Sequence, residues 1–400
     1  MNEKFSALLN RASEQSEQAE IYTVSGSQRL VQYSPDKTES NQVSFIQGIS
    51  LRLIKNQRLG FAYSNFPDDS LINMAVAMSP YSPLIKYDFP SKIPLSKVHV
   101  SDGHLVNISD DFKMIGEFIR TYNHRIYVEF RSMLVDISLF NSKGLSINYE
   151  KTAYHMSIIH PKNFVRSYTS CKRQDISLGD ISSYLHKLIS LPEVDKLPSY
   201  ESVLISCPVV EQIGISLLKQ LQLFGNQLDP NLLVYDDGTI DWLVTSAPFD
   251  DEGIVTQRTQ LIKQGKLCGA IVDLKQSVVN GLPPTGNSHR TYSSLPVLRH
   301  RKIVLEKERG EILNSLDMIS KGIWIQQADK IVTKEPGYLT LSVPWVLLIN
   351  KGEVVGKLGA FDVTLDFTGK IPFFIGSEIK SSYCDTGKEF IFFPLISTKF

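Results

Sequence analysis

The spacing of hydrophobic residues predicts a chain that mixes helices and strands in its first half. Recurrence at three and four positions indicates amphipathic helices, and alternation at two positions indicates strands. Helices are predicted over residues 3–20, 71–78, 111–124, 181–189 and 208–224. Strands are predicted over residues 21–24, 43–47, 125–130, 133–141, 145–160 and 202–206, and a hairpin about an Asn-Gln turn over residues 48–65.

The second half has a different pattern. From Asn231 onward, short extended runs are separated by glycine turns, which is typical of antiparallel β structure. A polar stretch flanked by prolines, residues 192–198, separates the two halves and predicts a domain boundary. We therefore expect an α+β protein with a mixed N-terminal domain over residues 1–195 and a β-rich, mainly antiparallel C-terminal domain over residues 196–400.

The amino-acid composition argues against some classes of function and location. The 400 residues carry 42 basic and 42 acidic side chains, so the formal net charge is zero, and a nucleic-acid partner is not expected. The four cysteines are far apart and form no CxxC pair, which favours reduced thiols. Because no apolar run has the length of a signal or membrane segment, we expect a cytoplasmic protein with no membrane partner.

The most unusual stretch lies between residues 249 and 290. Asp250, Asp251 and Glu252 precede Gly253, at a sharp turn that we expect to direct carboxylates outward. One interpretation is that these acids line a peptide cleft, and the other is a solvated turn. A second glycine turn includes Asn287 and is followed by two basic residues, His289 and Arg290. These residues could form an anion site for a peptide carboxylate, or an exposed loop end that pairs with nearby acids.

This stretch resembles the central signature of the TldD/PmbA family, proteins proposed to modulate DNA gyrase. In that family an Asp-Asp-Glu-Gly turn precedes a Thr-Gly-Asn-x-x-Arg loop. The hairpin over residues 48–65 and the Asn-Ser-x-Gly turn at residues 141–144 are also similar to family features. The loop departs from the usual Asn-Gly-Arg-Arg by reading Asn287-Ser288-His289-Arg290, so substrate specificity does not carry over.

The resemblance makes the helix over residues 208–224 decisive. In TldD-type chains the equivalent helix carries His-Glu-x-x-x-His, whose histidines hold zinc and whose glutamate acts as general base. Aligning the motif here places Lys219 and Gln220 at the His-Glu pair and Leu223 at the second histidine. No histidine lies between His186 and His289, so no shift of the alignment recovers the motif. The chain thus resembles the PmbA (TldE) type, for which we expect no catalytic residue, no metal ligand and no cofactor.

Cys384 lies near the position at which TldD-type chains supply a cysteine ligand to zinc. Because no histidine helix accompanies it, a spare thiol is the favoured interpretation.

The function that the resemblance implies is a non-catalytic subunit of a TldD-type zinc peptidase complex that helps to form a cleft for unfolded peptides. Its partner would be a His-Glu-x-x-x-His chain that holds the zinc, or a second copy in isolation. Two alternatives remain: a stand-alone binding protein of the gyrase-modulator type, and a peptidase whose chemistry uses the acids of residues 250–252 or the Cys384 thiol.

Overall fold

A computed structural model describes residues 3–34, 39–91, 96–103, 108–121, 126–160, 164–196, 198–225, 227–308, 316–376 and 390–394. Six α-helices occur in these ranges. They are α1 (Glu3–Ser13), α2 (Ser70–Met78), α3 (Ile108–Thr121), α4 (Leu178–Ser190), α5 (Cys207–Phe224) and α6 (Leu274–Asn280). No helix within them is long and apolar enough to cross a membrane.

The strands number twenty-two in the same ranges. The first eight are β1 (Gln18–Tyr33), β2 (Glu39–Lys55), β3 (Arg58–Ser64), β4 (Tyr127–Asn141), β5 (Ser146–His160), β6 (Phe164–Ser170), β7 (Glu193–Val194) and β8 (Ser202–Ser206). The next seven are β9 (Leu232–Asp237), β10 (Arg258–Lys263), β11 (Lys266–Leu267), β12 (Ser288–His289), β13 (Val297–Leu298), β14 (Ile303–Lys307) and β15 (Lys321–Ile325). The last seven are β16 (Lys330–Glu335), β17 (Tyr338–Val343), β18 (Val346–Asn350), β19 (Glu353–Leu358), β20 (Phe361–Asp366), β21 (Phe374–Gly376) and β22 (Phe390–Pro394).

The N-terminal sheet is antiparallel in the order β3-β2-β1-β4-β5-β6. Side chains alternate between its faces, so Ala19 and Ile21 pack with Leu8 and Leu51 in the core beneath α1 and α2. Glu20 and its neighbour Tyr22 therefore point to the opposite face. That face meets the C-terminal half of the chain and positions the candidate site.

The C-terminal half contains a seven-stranded sheet in the order β21-β22-β8-β15-β18-β19-β7 and smaller antiparallel sheets, β11-β10-β9-β14 and β16-β17-β20. Helix α5 packs between these layers. Pro208 lies in its first turn and Gly225 caps its end with φ 61°, as expected of residues that start and stop helices. Within it, Gly214 allows close approach, because a Cβ there would lie 2.4 Å from Ile303 Cγ2.

The α+β class is confirmed, with differences in detail. The predicted strands at 125–130 and 133–141 are the single strand β4. Helix α6 was not predicted, and two strand pairs, β8 with β15 and β7 with β19, are parallel. The boundary between domains at residue 195 stays a prediction. β7 (Glu193–Val194), which precedes that boundary, pairs with β19 in the seven-stranded sheet, so the described sheets divide at residues 171–192 instead. One hydrophobic core also includes α4 residues together with Trp324 and Leu347.

Candidate functional site

The acidic turn is organised by the carboxylate of Asp250. Its Oδ1 accepts hydrogen bonds from the backbone N–H groups of Glu252 and Ile254, both at 2.9 Å, and its Oδ2 accepts one from Ser288 N at 3.0 Å. Gly253 has φ 81°, a conformation that favours glycine. Asp250 thus closes its own turn and fastens it to β12.

Asp251 connects the same turn to Arg290. Its Oδ2 accepts a hydrogen bond from Arg290 N at 2.8 Å, and its own N–H donates to Ser288 O at 3.1 Å. The Tyr22 hydroxyl, from β1, also hydrogen-bonds to this carboxylate. The turn is therefore bound on one side by β12 and on the other by the N-terminal sheet.

Glu252 continues this connection into the N-terminal sheet. Its Oε2 accepts from Ser288 Oγ at 2.8 Å and from Leu274 N, the start of α6, at 3.1 Å. Its Oε1 accepts from Arg52 Nη1 at 3.2 Å. Arg52, on β2, also donates twice to Glu20, at 2.8 and 2.9 Å.

Arg290 completes the network. Its Nη2 donates to Glu20 Oε1 at 2.9 Å, and its guanidinium lies 4.2 Å from the centre of the Tyr22 ring. The order Glu252, Arg52, Glu20, Arg290 thus alternates negative and positive charge between the two halves of the chain. We call these four residues the buried ion-pair network.

The network is removed from water, since Glu20, Arg52 and Arg290 have side chains exposed by 1% or less and Glu252 by 6%. Burial alone would raise the pKa of Glu20, but Arg52 and Arg290 outweigh it and lower that pKa. Glu20 therefore stays ionised. Removing one partner of such a buried ion pair should strongly destabilise the fold, because it leaves an unpaired charge away from water.

The two aspartates behave differently from Glu20. Burial, followed by the charge of Glu252, raises the pKa of Asp250 to about 7. Burial also raises the pKa of Asp251, although the backbone N–H and the charge of Arg290 oppose the shift. These carboxyls are thus harder to ionise than a solvated aspartate.

Asn287 belongs to a second cluster beneath the turn. Its Nδ2 donates to Asp236 Oδ1 at 3.0 Å, and its Oδ1 accepts from Thr285 Oγ1 at 2.7 Å. Asp236 also accepts from Arg301 N and lies 2.6 Å from His300 Nδ1. The adjacent Gly286, at φ 77°, sits where a Cβ would come within 2.5 Å of the Val255 carbonyl oxygen. Asn287 therefore holds the glycine loop against β9.

His289 is half-buried and lies among basic side chains. Burial, then the charges of Arg301, Lys151 and Arg299, lower its pKa to about 3. The imidazole is neutral at pH 7 and does not add a second cation to Arg290.

The structure brings the predicted residues together but buries most of them. The expectation that the turn directs its carboxylates outward is wrong, since Asp250, Asp251 and Glu252 are all buried, with their oxygens accepting hydrogen bonds. The alternative of an exposed loop end at Arg290 is wrong in its exposure, because the side chain is buried, but Arg290 does pair with an acid, Glu20. The physical reason is that Glu20 and Arg52 supply partners from the other half of the chain. A peptide-binding role for Asp250, Asp251, Glu252, Asn287, His289 and Arg290 stays a prediction.

Helix α5 places the three predicted motif positions on different sides. Gln220 is buried, and its Nε2 donates to Thr333 Oγ1 at 3.0 Å and to Tyr338 O at 3.1 Å, while its Oε1 accepts from Gly337 N at 2.9 Å. Lys219 and Leu223 are exposed. Counted from Lys219, the spacing His-Glu-x-x-x-His ends at Phe224 rather than Leu223, which corrects the alignment by one residue. Phe224 is also exposed.

These residues do not fit a zinc site. The Gln220 amide is occupied by three hydrogen bonds, and neither leucine nor phenylalanine offers a ligand atom. Among the residues that the structure describes, no group of three or more His, Cys, Asp or Glu side chains is arranged to hold a metal ion. Cys384 lies outside the described residues.

The sequence alone did not identify three members of the site, Glu20, Arg52 and Asp236. Two of them carried a weak signal: Glu20 interrupts an apolar strand, and Arg52 lies between Leu51 and Leu53 in a hairpin whose other face is buried. A charged residue inside a strand that is buried on both faces requires a partner.

Comparison with known proteins gives consistent results. The family model described as PmbA/TldA metallopeptidase C-terminal domain matches residues 212–368, and that described as PmbA/TldA metallopeptidase domain 1 matches residues 19–79. An uncharacterized protein of Methanocaldococcus jannaschii is 23% identical over 332 residues, covering 77% of this chain and 78% of that protein. A metalloprotease TldD homolog of Haemophilus influenzae is 29% identical over 133 residues, covering 32% of this chain and 28% of that protein.

Solved structures share the whole fold. TldE from Thermococcus kodakarensis superposes with a TM-score of 0.74 at 16% identity and covers 98% of both chains. A proposed modulator of a DNA gyrase from Thermotoga maritima superposes with a TM-score of 0.73 at 15% identity, covering 98% of this chain and 99% of the other. With two family domains matched and the same fold over its length, the chain is a member of the PmbA/TldD family.

Proposed function

We propose that this protein is the non-catalytic, TldE-like subunit of a two-chain zinc peptidase, in which a TldD-type partner carries His-Glu-x-x-x-His and the zinc. The observation that carries the proposal is helix α5. At the position of the motif's general base, Gln220 instead fastens the helix to the β16–β17 hairpin. The neighbouring motif positions offer no zinc ligand.

The buried ion-pair network supports a scaffold role for the acidic turn. Glu252 and Arg290 join the C-terminal half to Arg52 and Glu20 of the N-terminal sheet. A rigid connection of this kind fixes the angle between the two halves, and so the walls of any cleft that they share with a partner. The turn contributes to peptide cleavage through shape, by holding one side of the cleft in place for an unfolded peptide.

The same geometry disfavours a peptidase that uses the acidic turn alone. A general base needs a carboxylate oxygen within reach of a water or substrate proton. Here the oxygens of Asp250 and Glu252 accept backbone, hydroxyl and guanidinium hydrogen bonds. The proposal therefore gives Asp250 and Glu252 a structural role rather than that of a general base.

Mixing experiments test the proposal. This chain and a TldD-type protein with His-Glu-x-x-x-His, from the same source, would be assayed alone and at equal concentrations on an unstructured peptide. We expect cleavage by the mixture at least tenfold above either chain, removed by a chelator and restored by zinc. Replacing the partner's motif glutamate with glutamine should abolish it. A mixture no more active than the partner alone would contradict the proposal.

The second candidate function is a stand-alone modulator of DNA gyrase, supported by the fold shared with the Thermotoga maritima protein. The two candidates separate in a supercoiling assay. A TldE-like subunit leaves gyrase activity unchanged at micromolar concentration, whereas a modulator changes it without any TldD-type partner. The zero net charge gives no support to direct DNA binding.

A further inference from the structure

One face of the short β12–β13 ribbon carries basic and apolar side chains together. In its register His289 lies opposite Val297. The ladder continues beyond the strands, because Arg299 N donates to Asn287 O at 3.0 Å. Opposed residues share a face and side chains alternate along each strand, so His289, Val297 and Arg299 lie on the same face of the ribbon. Val297 is 50% exposed, Arg299 is exposed and His289 is half-buried.

Two more cations reach this face from other parts of the chain. Lys151 Nζ, from β5 of the N-terminal sheet, donates to Ser246 O at 2.8 Å. Arg301 Nη1 donates to Thr245 O at 3.1 Å. Since Thr245 and Ser246 are consecutive, their carbonyl groups hold the two cations close together. The charges of both act on the imidazole of His289.

The charges that act on His289 are all positive, since they come from Arg301, Lys151 and Arg299. Burial lowers the pKa of Lys151 to about 8, which leaves its ammonium protonated at pH 7. The acid that acts on Lys151 is Asp251, whose carboxylate already accepts the N–H of Arg290. Like charges at short range in a partly buried site repel one another unless an anion lies between them. The cluster is therefore suited to an anionic ligand.

The same cluster has hydrogen-bond donors to offer. Among the residues that the structure describes, the side chains of His289 and Arg299 have no hydrogen-bond or ion-pair partner. The Ser246 hydroxyl is buried and has no partner in the same ranges. Lys151 uses one of its three N–H groups on the Ser246 carbonyl. These donors suit an acceptor with two oxygens, such as a carboxylate.

We propose that Lys151, His289 and Arg299 bind the C-terminal carboxylate of a peptide. The ammonium and the guanidinium hold the two oxygens, the imidazole donates one N–H, and Arg301 adds its charge from the buried side. Val297 lies beside the cations and contacts an apolar side chain on the last residue of the peptide. A chain end offers a carboxylate and an apolar group on one residue, whereas inorganic phosphate or an aspartate side chain offers only the charge.

This site rests on the proposed function, because the peptide it holds is the one that the complex cleaves. It gives the TldE-like subunit a share in substrate selection, through recognition of a peptide end. Binding to the lone chain needs neither zinc nor a TldD-type partner. Failure of the peptide-end site therefore leaves the mixing experiment unaffected, and an inactive mixture leaves the binding result intact.

Calorimetric titration of the lone chain tests the site. Two peptides share one short glycine-serine sequence ending in leucine, one with a free carboxylate and the other with an amide. We expect the free acid to bind about tenfold more tightly or better, because only it forms charge-assisted hydrogen bonds. A third peptide, amidated and with aspartate before the leucine, should bind like the amide. Equal affinity for acid and amide, an aspartate peptide as tight as the acid, or displacement of the acid by equimolar inorganic phosphate would overturn the proposal.

Variants locate the carboxylate. Arg299→Gln removes an exposed cation, so the fold should persist while the affinity for the free acid falls about tenfold and that for the amide is unchanged. Lys151→Gln should act in the same way, and Lys151→Arg, which keeps the charge, should retain the preference for the acid. Lys334→Gln removes an exposed cation of β16 and is the matched control, which should bind like the wild type. A preference for the acid that survives both Arg299→Gln and Lys151→Gln, or that falls equally in Lys334→Gln, would overturn the assignment.

Discussion

Arg290 and Glu20 form a completely buried ion pair of 2.9 Å between residues 270 positions apart in the sequence. Through Arg52 and Glu252, the same charges connect the N-terminal sheet with the acidic turn. The acidic turn therefore has a structural role, because its carboxylates help to hold the two halves of the chain together.

Removing a charge from the buried network should be strongly destabilising. Arg52→Ala leaves Glu20 with one partner and Glu252 without its guanidinium, so we expect a loss of about 3–5 kcal/mol in the free energy of unfolding. Arg11→Ala is the control, because it breaks the exposed pair with Asp69 and should cost less than about 1 kcal/mol. Urea unfolding followed by tryptophan fluorescence measures both. Equal losses would show that the buried network adds no special stability.

Gln220 should matter for stability although the motif it replaces is catalytic in TldD-type chains. Gln220→Ala removes three hydrogen bonds and leaves Gly337 N without its acceptor, which should cost about 1–3 kcal/mol. Lys219→Ala, on the exposed side of the same helix, should change stability by less than about 0.5 kcal/mol. The unfolding midpoints of the two variants compare them directly. A neutral Gln220→Ala would show that the amide does not hold the hairpin.

Close packing of α5 on β14 gives a further prediction. In Gly214→Ala the added Cβ would lie within 2.6 Å of both Ile303 and Leu305 side chains, and we expect a loss of about 1–3 kcal/mol. Gly179→Ala is the matched control in α4, where the nearest neighbouring atom lies 3.9 Å away. That variant should be neutral or more stable by up to about 1 kcal/mol. Thermal unfolding of both proteins distinguishes crowding from a general effect of replacing a helical glycine.

The sequence predicted α5 almost to the residue, because Pro208 and Gly225 mark its ends and its apolar spacing is regular. It also identified the residues around Gly253 as unusual. Burial of the acids could not be predicted, since it depends on Glu20 and Arg52, whose proximity arises only when the N-terminal sheet meets the C-terminal half.

Helix α6 was missed for a local reason. Only Leu274 is buried in this short helix, so the sequence contains no repeat of apolar residues that would predict a helix there. The available signals were Asp273, which accepts from Gln276 N as a cap, and Gly281 at φ 66°. In β4 the polar pair Arg131-Ser132 suggested a break, but pairing with β1 and β5 on both sides carries the strand through.

His289 should make the protein less stable in acid. Its pKa is lowered to about 3 in the folded protein, against an ordinary value of 6.5, so the unfolded chain binds the proton first. Its contribution is present above pH 6.5 and is lost as the pH falls from there toward 3. His289→Gln removes this linkage, so between pH 6.5 and 4 the variant should lose less stability than the wild type.

The stability of the wild type should be compared with that of His289→Gln at each pH, because Asp250 changes the stability of both proteins in the opposite direction. Its pKa is raised to about 7, so the folded state binds the extra proton and stability from this group falls as the pH rises from about 4 to 7. Urea unfolding at several pH values gives both profiles. Parallel profiles for wild type and His289→Gln would contradict the account of His289.

If catalysis belongs to a partner chain, the purified chain alone should hold no zinc and cleave no peptide. Elemental analysis of metal-saturated protein, after removal of free zinc, should give less than about one-tenth of a zinc ion per chain. The same sample should cleave no unstructured peptide. Stoichiometric zinc in the lone chain, or proteolysis that resists a chelator and persists without a partner, would contradict the claim and assign this protein a catalytic centre of its own.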